Sequence, residues 1–266
     1  MIKFFRHIRK SLLMENKTGK YFKYAIGEIV LVVIGILIAL SINSWNENRI
    51  DAKREANYIK NIERDLNNQI KAIDTQTDFE IEVTEYCRIA LKPYNETNRL
   101  KIDSTFAVAL GSITTRRTFL NPNPAYTELI SSGNIELLKN ETFKDQLINY
   151  YQELERIEKI IDKNNTLFTD QQFAPIVSQF GVMDSRKEWD NLFRGFMRKY
   201  RSENALTSEN IKRLSQISSK LLKQEENELI FVNYLAEREG TAMLHVFLLI
   251  EFKAQTKKLL EAIKTY

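Results

Sequence analysis

The run Tyr24–Ile42, YAIGEIVLVVIGILIALSI, constrains the chain more than any other stretch. It holds one charged residue, Glu28, followed by sixteen uncharged positions from Ile29 to Ser44. At about 1.5 Å per residue, nineteen helical residues cover roughly the 30 Å hydrocarbon core of a bilayer. A buried helix of a soluble domain would carry polar residues on one side, whereas this one is apolar all round. The run therefore reads as a transmembrane helix over residues 24–45.

Charge sets its direction. Residues 1–23 carry seven Lys and Arg against Glu15, a net of +6, while residues 46–266 are nearly neutral at −1. The overall +4 therefore reflects a basic tail beside a membrane, and nucleic acid is not an expected partner. By the positive-inside rule the expected topology is single-pass in a bacterial inner membrane, with a cytoplasmic N-terminus and a periplasmic domain. Signal-peptide cleavage is the competing reading. However, the apolar run is too long, and its only passable small-x-small cleavage site, Ala39-Leu40-Ser41, lies within the run. No cysteine stands near it to carry lipid. The tail IKFFRHIRKSLL places Phe5, Ile8 and Leu12 on one helical face, as a helix lying on the inner leaflet would.

Within the span, Glu28 lies one turn from the cytoplasmic end, where its carboxylate can turn to the headgroups or Lys23. Gly35 and Ala39 form a small-xxx-small pair, with Gly27 two turns earlier, that permits close approach of a second helix. Trp45 marks the outer interface. The lipid bilayer is thus the first partner, and a homodimer or a membrane-protein partner the second.

Residues 46–266 read as an α-helical periplasmic domain. Ile59, Ile62, Leu66, Ile70, Ile73, Thr77, Ile81, Thr84 and Leu91 recur at steps of three or four. This predicts a helix of some forty-five residues ended by Pro93, whose seam serves an intramolecular bundle for most of its length, with a dimeric coiled coil as the alternative. STFAVALGSI reads as a short helix or loop, and Asn121-Pro122-Asn123-Pro124 as a turn opening a helix to Ser131 closed by Gly133. A second long amphipathic helix is predicted over 141–168, with breaks at Pro175 and Gly181. Short helices with core aromatics, Trp189, Phe193 and Phe196 among them, are expected before Ala205. A last helical region starts near Thr207 or Ser208 and is weakened at Gly240. The fold class is therefore all-α, one N-terminal transmembrane helix followed by a periplasmic bundle of long amphipathic helices.

Signs of catalysis are scarce. His7 and His245 are the only histidines, separated by the membrane in this topology, and no H-E-x-x-H, phosphate loop or G-x-S-x-G occurs. His245 is expected to be structural and Cys87 a buried free thiol. The acidic group Glu225, Glu226 and Glu228 reads as a solvated face. No catalytic residue, metal or cofactor is expected, and the short tail offers no room for a signalling module.

The segment GEIVLVVIGILIALSINSWNE, Gly27 to Glu47, resembles the signature of a large family of uncharacterised single-pass membrane proteins of Bacteroidota. Gly27, Glu28, Gly35, Ala39, Asn43, Trp45, Asn46 and Glu47 match its usual pattern, and AYTELISSGNIELLKNETFKDQLINYY, Ala125 to Tyr151, resembles a second family block. The resemblance implies topology and host but no activity. Two functions remain open: a scaffold or protein-interaction module, and a ligand-sensing periplasmic domain coupled to a separate signalling or transport partner.

Overall fold

The computed structural model describes residues 18–182 and 207–266. The basic amphipathic tail and the aromatic stretch around Trp189 therefore lie outside the described residues. By packing, the chain divides into a unit ending at Ile59 and a second unit, Lys60–Tyr266.

One helix, α1, runs the 80 residues Thr18–Thr97. Its apolar portion is long enough to cross a membrane, and none of its most apolar window is buried. Pro93 does not end α1, contrary to the sequence expectation. It lies inside the helix, which forgoes one backbone hydrogen bond there and continues a further turn. The stop comes at Asn98, whose φ of 54° is left-handed and whose N–H donates back to the Tyr94 carbonyl at 2.8 Å.

Short helices α2 (Ser104–Ile113) and α3 (Pro124–Ser131) follow. Asp103 caps α2 by accepting the Phe106 N–H, while α3 has proline in its first turn and closes into Gly133 at φ 70°. A 3-10 turn, Asn134–Leu137, leads to α4, Glu141–Lys163, capped by Asn140. The chain then widens into a π-helix, Asn164–Phe173, before α5, Ala174–Phe180. In this region Ile161, Asn165, Thr169, Phe173 and Val177 are buried at every fourth position, a longer repeat than the 3.6 of an α-helix. Pro175 falls in the first turn of α5 and does not break the run; Gly181 ends it.

Helix α6, Ser208–Leu221, is capped by the Thr207 side chain. A turn at 222–224 separates it from α7, the 40 residues Glu225–Lys264. The break therefore lies there and not at Gly240, which sits within α7.

Within the Lys60–Tyr266 unit, α1 and α7 run antiparallel. Arg99 pairs with Glu228, Arg88 with Glu239, His245 with Glu80 and Lys253 with Asp74. Tyr150 on α4 bonds both Gln69 on α1 and Thr256 on α7, so three long helices enclose one core. The aromatic rings of Phe106, Phe180 and Phe231 close one end. Each buried seam keeps a strict three-four alternation. On α7 it runs Glu228, Phe231, Leu235, Arg238, Ala242, His245, Leu249, Phe252, Thr256, Leu259 and Ile263. On α1 it runs Ile62, Leu66, Gln69, Ile73, Gln76, Glu80, Val83, Cys87 and Ala90. The expected α1 seam drifted off this line, so Ile81 is exposed and Gln76 and Glu80 are inside.

Candidate functional site

Two regions stand out: an apolar surface on α1 and a polar seam inside the bundle. From Ile26 to Ile42 every Val, Leu and Ile side chain is 46–63% exposed, a continuous apolar sleeve that water does not tolerate. Helical spacing sets Glu28, Gly35 and Ala39 on one face of it. Nothing lies within 4 Å of where a side chain on Gly35 would begin, so that face is open to a close neighbour. At the polar end Trp45 is exposed with the Arg49 guanidinium 5.8 Å from its ring centre, and Asn43 donates to Glu47 at 2.9 Å. The Ser41 hydroxyl returns to the Leu37 carbonyl, so it makes no polar gap in the sleeve.

The polar seam was not foreseen. His245 Nε2 meets the Asn164 amide at 3.1 Å, at the first residue of the π-helix. Its Nδ1 faces Glu80 Oε1 at 3.2 Å, within ion-pairing range but out of line for a hydrogen bond. Gln76 donates to the same Glu80 oxygen at 2.9 Å and also to the Arg117 carbonyl. One heptad along α7, fully buried Arg238 donates through Nε to Ile113 O at 3.0 Å and through Nη2 to Thr115 O. Burial pulls the Arg238 guanidinium below its ordinary pKa, and the Glu80 charge opposes that. Glu80 Oε2, Arg238 Nη1 and Thr169 Oγ1 have no hydrogen-bond partner among the described residues. Beside them the Cys87 thiol is buried and pushed up to about 12 by desolvation, which makes it a poor nucleophile.

Glu228 is a correction to the sequence reading. It is 7% exposed and accepts from Arg99 at 3.1 Å, so it belongs to the core seam and not to a solvated acidic face. Asp65 was also missed: its buried carboxylate accepts the Ala125 N–H at 2.9 Å and so caps α3 from α1.

Open grooves line the bundle. One, of about 390 Å³, is bordered by the stacked Tyr126 and Tyr151 rings, Asn123, Gln152, Glu155 and Glu158. Burial raises the Glu158 carboxyl pKa, against the Asn121 N–H that it accepts. Among the described residues no cluster of three His, Cys, Asp or Glu side chains could hold a metal ion.

Residues 28–185 match a family of unknown function, DUF6090. The chain belongs to this family. The DUF6090 match starts at Glu28, inside the apolar motif, and takes in the Ala125–Tyr151 block, the groove and the π-helix. It stops short of α7, which supplies His245 and Arg238. No curated protein and no solved structure matches the chain. The protein thus carries an all-helical domain of unknown molecular function, without metal-binding or catalytic signatures among its described residues.

Proposed function

We propose that the protein is a membrane-anchored interaction scaffold of a Bacteroidota inner membrane. Residues 1–23 lie in the cytoplasm, residues 24–45 span the membrane and residues 46–266 form a periplasmic helical domain that binds other proteins. The observation that carries the anchor is the exposed apolar sleeve from Ile26 to Ile42. The excess of Lys and Arg before it supports the orientation. The polar seam is compatible with a structural role, because its buried side chains tie α1 and α7 to the backbone of the 113–117 segment and to the π-helix. Protease added outside spheroplasts should remove the domain beyond Trp45 and spare the tail, and gentle solubilisation should retain a membrane-protein partner. Protection of a C-terminal tag, or a mature chain starting near Ile42, would reject the topology.

Ligand sensing, coupled to a separate signalling or transport protein, is the second reading. It is favoured by the Tyr126–Tyr151 groove with its half-buried Glu158. A small molecule recovered reproducibly with the purified protein, and lost on Tyr126→Ala, would raise it above the first.

A further inference from the structure

The polar seam holds two opposite charges that are buried together yet do not bond each other. Glu80 is 1% exposed and Arg238 0%, and each lies within the field of the other. Both are pinned elsewhere. Glu80 Oε1 accepts from Gln76 and faces His245, while Arg238 directs Nε and Nη2 to Ile113 O and Thr115 O. That leaves Glu80 Oε2 and Arg238 Nη1, and neither has a hydrogen-bond partner among the described residues. The chain after α2 sets the gap between them. Arg238 bonds Thr115 O, and Gln76, which holds Glu80, bonds Arg117 O. Two residues of chain place these anchors at most about 7 Å apart. Thr169 enters from a third side. Its π-helix neighbours Asn165 and Asp170 bond the Arg117 carbonyl and the Arg116 side chain, which sets Thr169 level with the same stretch. Its hydroxyl is fully buried and also lacks a partner among the described residues.

We propose that an ordered internal water is bound here, donating to Glu80 Oε2, accepting from Arg238 Nη1 and bonding Thr169 Oγ1. A single water between a donor and an acceptor spans roughly 5–6 Å, the scale that the loop anchors set. The lining decides the chemistry of the occupant. One negative charge, one positive charge and one hydroxyl call for a neutral molecule that both donates and accepts. An anion would meet Glu80 and a cation would meet Arg238, each at close range in a medium that screens poorly. Side chains only 0–1% exposed on three sides leave no path for anything larger. Direct closure of the two charges would strip Gln76 from Glu80 or the loop carbonyls from Arg238, so bridging is favoured over contact. A buried water with three polar partners is part of the fold, and this one joins α1, the π-helix and α7 at a single point.

The test is a crystal structure of the full chain grown in a lipid mesophase, at a resolution that shows ordered solvent, with bromide as the only halide. An isolated peak within about 3.2 Å of Glu80 Oε2, Arg238 Nη1 and Thr169 Oγ1, without an anomalous bromide signal, is the expected result. A direct Glu80–Arg238 bond, a protein atom at that position, or no peak at all would overturn the proposal. A bromide signal there would overturn it too, since the occupant would then be an anion. Thr169→Val keeps the side-chain shape and removes the hydroxyl. The variant should match the parent in helical content, and its peak should weaken relative to other ordered solvent as one of three bonds is lost. A peak of equal height in Thr169→Val would overturn the three-armed site.

Discussion

His245 Nδ1 lies 3.2 Å from Glu80 Oε1, with the two side chains 0 and 1% exposed. The contact joins α7 to α1, and through Asn164 it reaches the π-helix. Such a pair specifies register more than it stabilises, because desolvation offsets much of the attraction. Removing one partner is another matter, since it leaves the other buried with only part of its compensation, Gln76 and the nearby Arg238 charge for Glu80 and Asn164 for His245. Glu80→Leu or His245→Leu should each destabilise the protein by roughly 3 kcal/mol. The double substitution should cost less than the sum of the two. Urea unfolding followed by circular dichroism, read as a double-mutant cycle, measures this, and additive costs would dissolve the pair.

Arg238 predicts a second effect. Its donors satisfy Ile113 O and Thr115 O, which hold the end of α2 and the following loop against α7. Arg238→Met keeps volume but strands both carbonyls, at about 2–3 kcal/mol. Cys87 supplies the local readout. Buried and with its pKa at about 12, the thiol should resist thiol reagents at pH 8 in the parent and react faster in the variant. Equal protection in both would show that Arg238 does not hold this region closed.

Helix positions were readable where apolar periodicity and caps agreed. Pro124 at the start of α3, Gly133 after it and Thr207 before α6 all act as their residue types suggest. The polar seam escaped because a search for apolar residues steps around polar ones. On α1 it moved from Gln69, Gln76 and Glu80 to their less polar neighbours Ile70, Thr77 and Ile81. A strict three-four count would have exposed the seam, since Arg238 and His245 are one heptad apart on a line of apolar residues. The π-helix had a fainter sign in the four-residue spacing of Ile161, Asn165, Thr169 and Phe173. Which carbonyls receive Arg238, by contrast, depends on how a distant loop folds back.

Glu158 gives a pH-dependent prediction. Burial raises its folded-state pKa, so its contribution to stability is fully present below the unfolded value and is lost as pH rises through the folded one. Glu158→Gln keeps an acceptor for the Asn121 N–H and removes the charge. The variant should therefore be slightly more stable than the parent at neutral pH and indistinguishable from it in acid. The gain is small because the carboxyl is partly exposed and screened. Melting temperatures across pH 3–8 check the sign, and a loss of stability at pH 7 would contradict it.

The membrane helix carries the last prediction. Gly35 and Ala39 are one turn apart, both exposed, on the face that also holds Glu28. Small residues there let a second helix approach closely enough for backbone packing, which is what associates helices in lipid. Replacing both with Ile keeps the segment apolar, so insertion should persist while close approach is blocked. If this face pairs two copies, cross-linking in membranes should give a dimer whose yield falls several-fold in the Gly35→Ile/Ala39→Ile variant. Leu37→Ile, also apolar and on the opposite face of the helix, is the matched control and should leave the yield unchanged. An equal dimer yield in the double variant would move self-association to another surface. Absence of a dimer in the parent, with loss of a co-purified membrane protein in the double variant, would assign this face to a different chain.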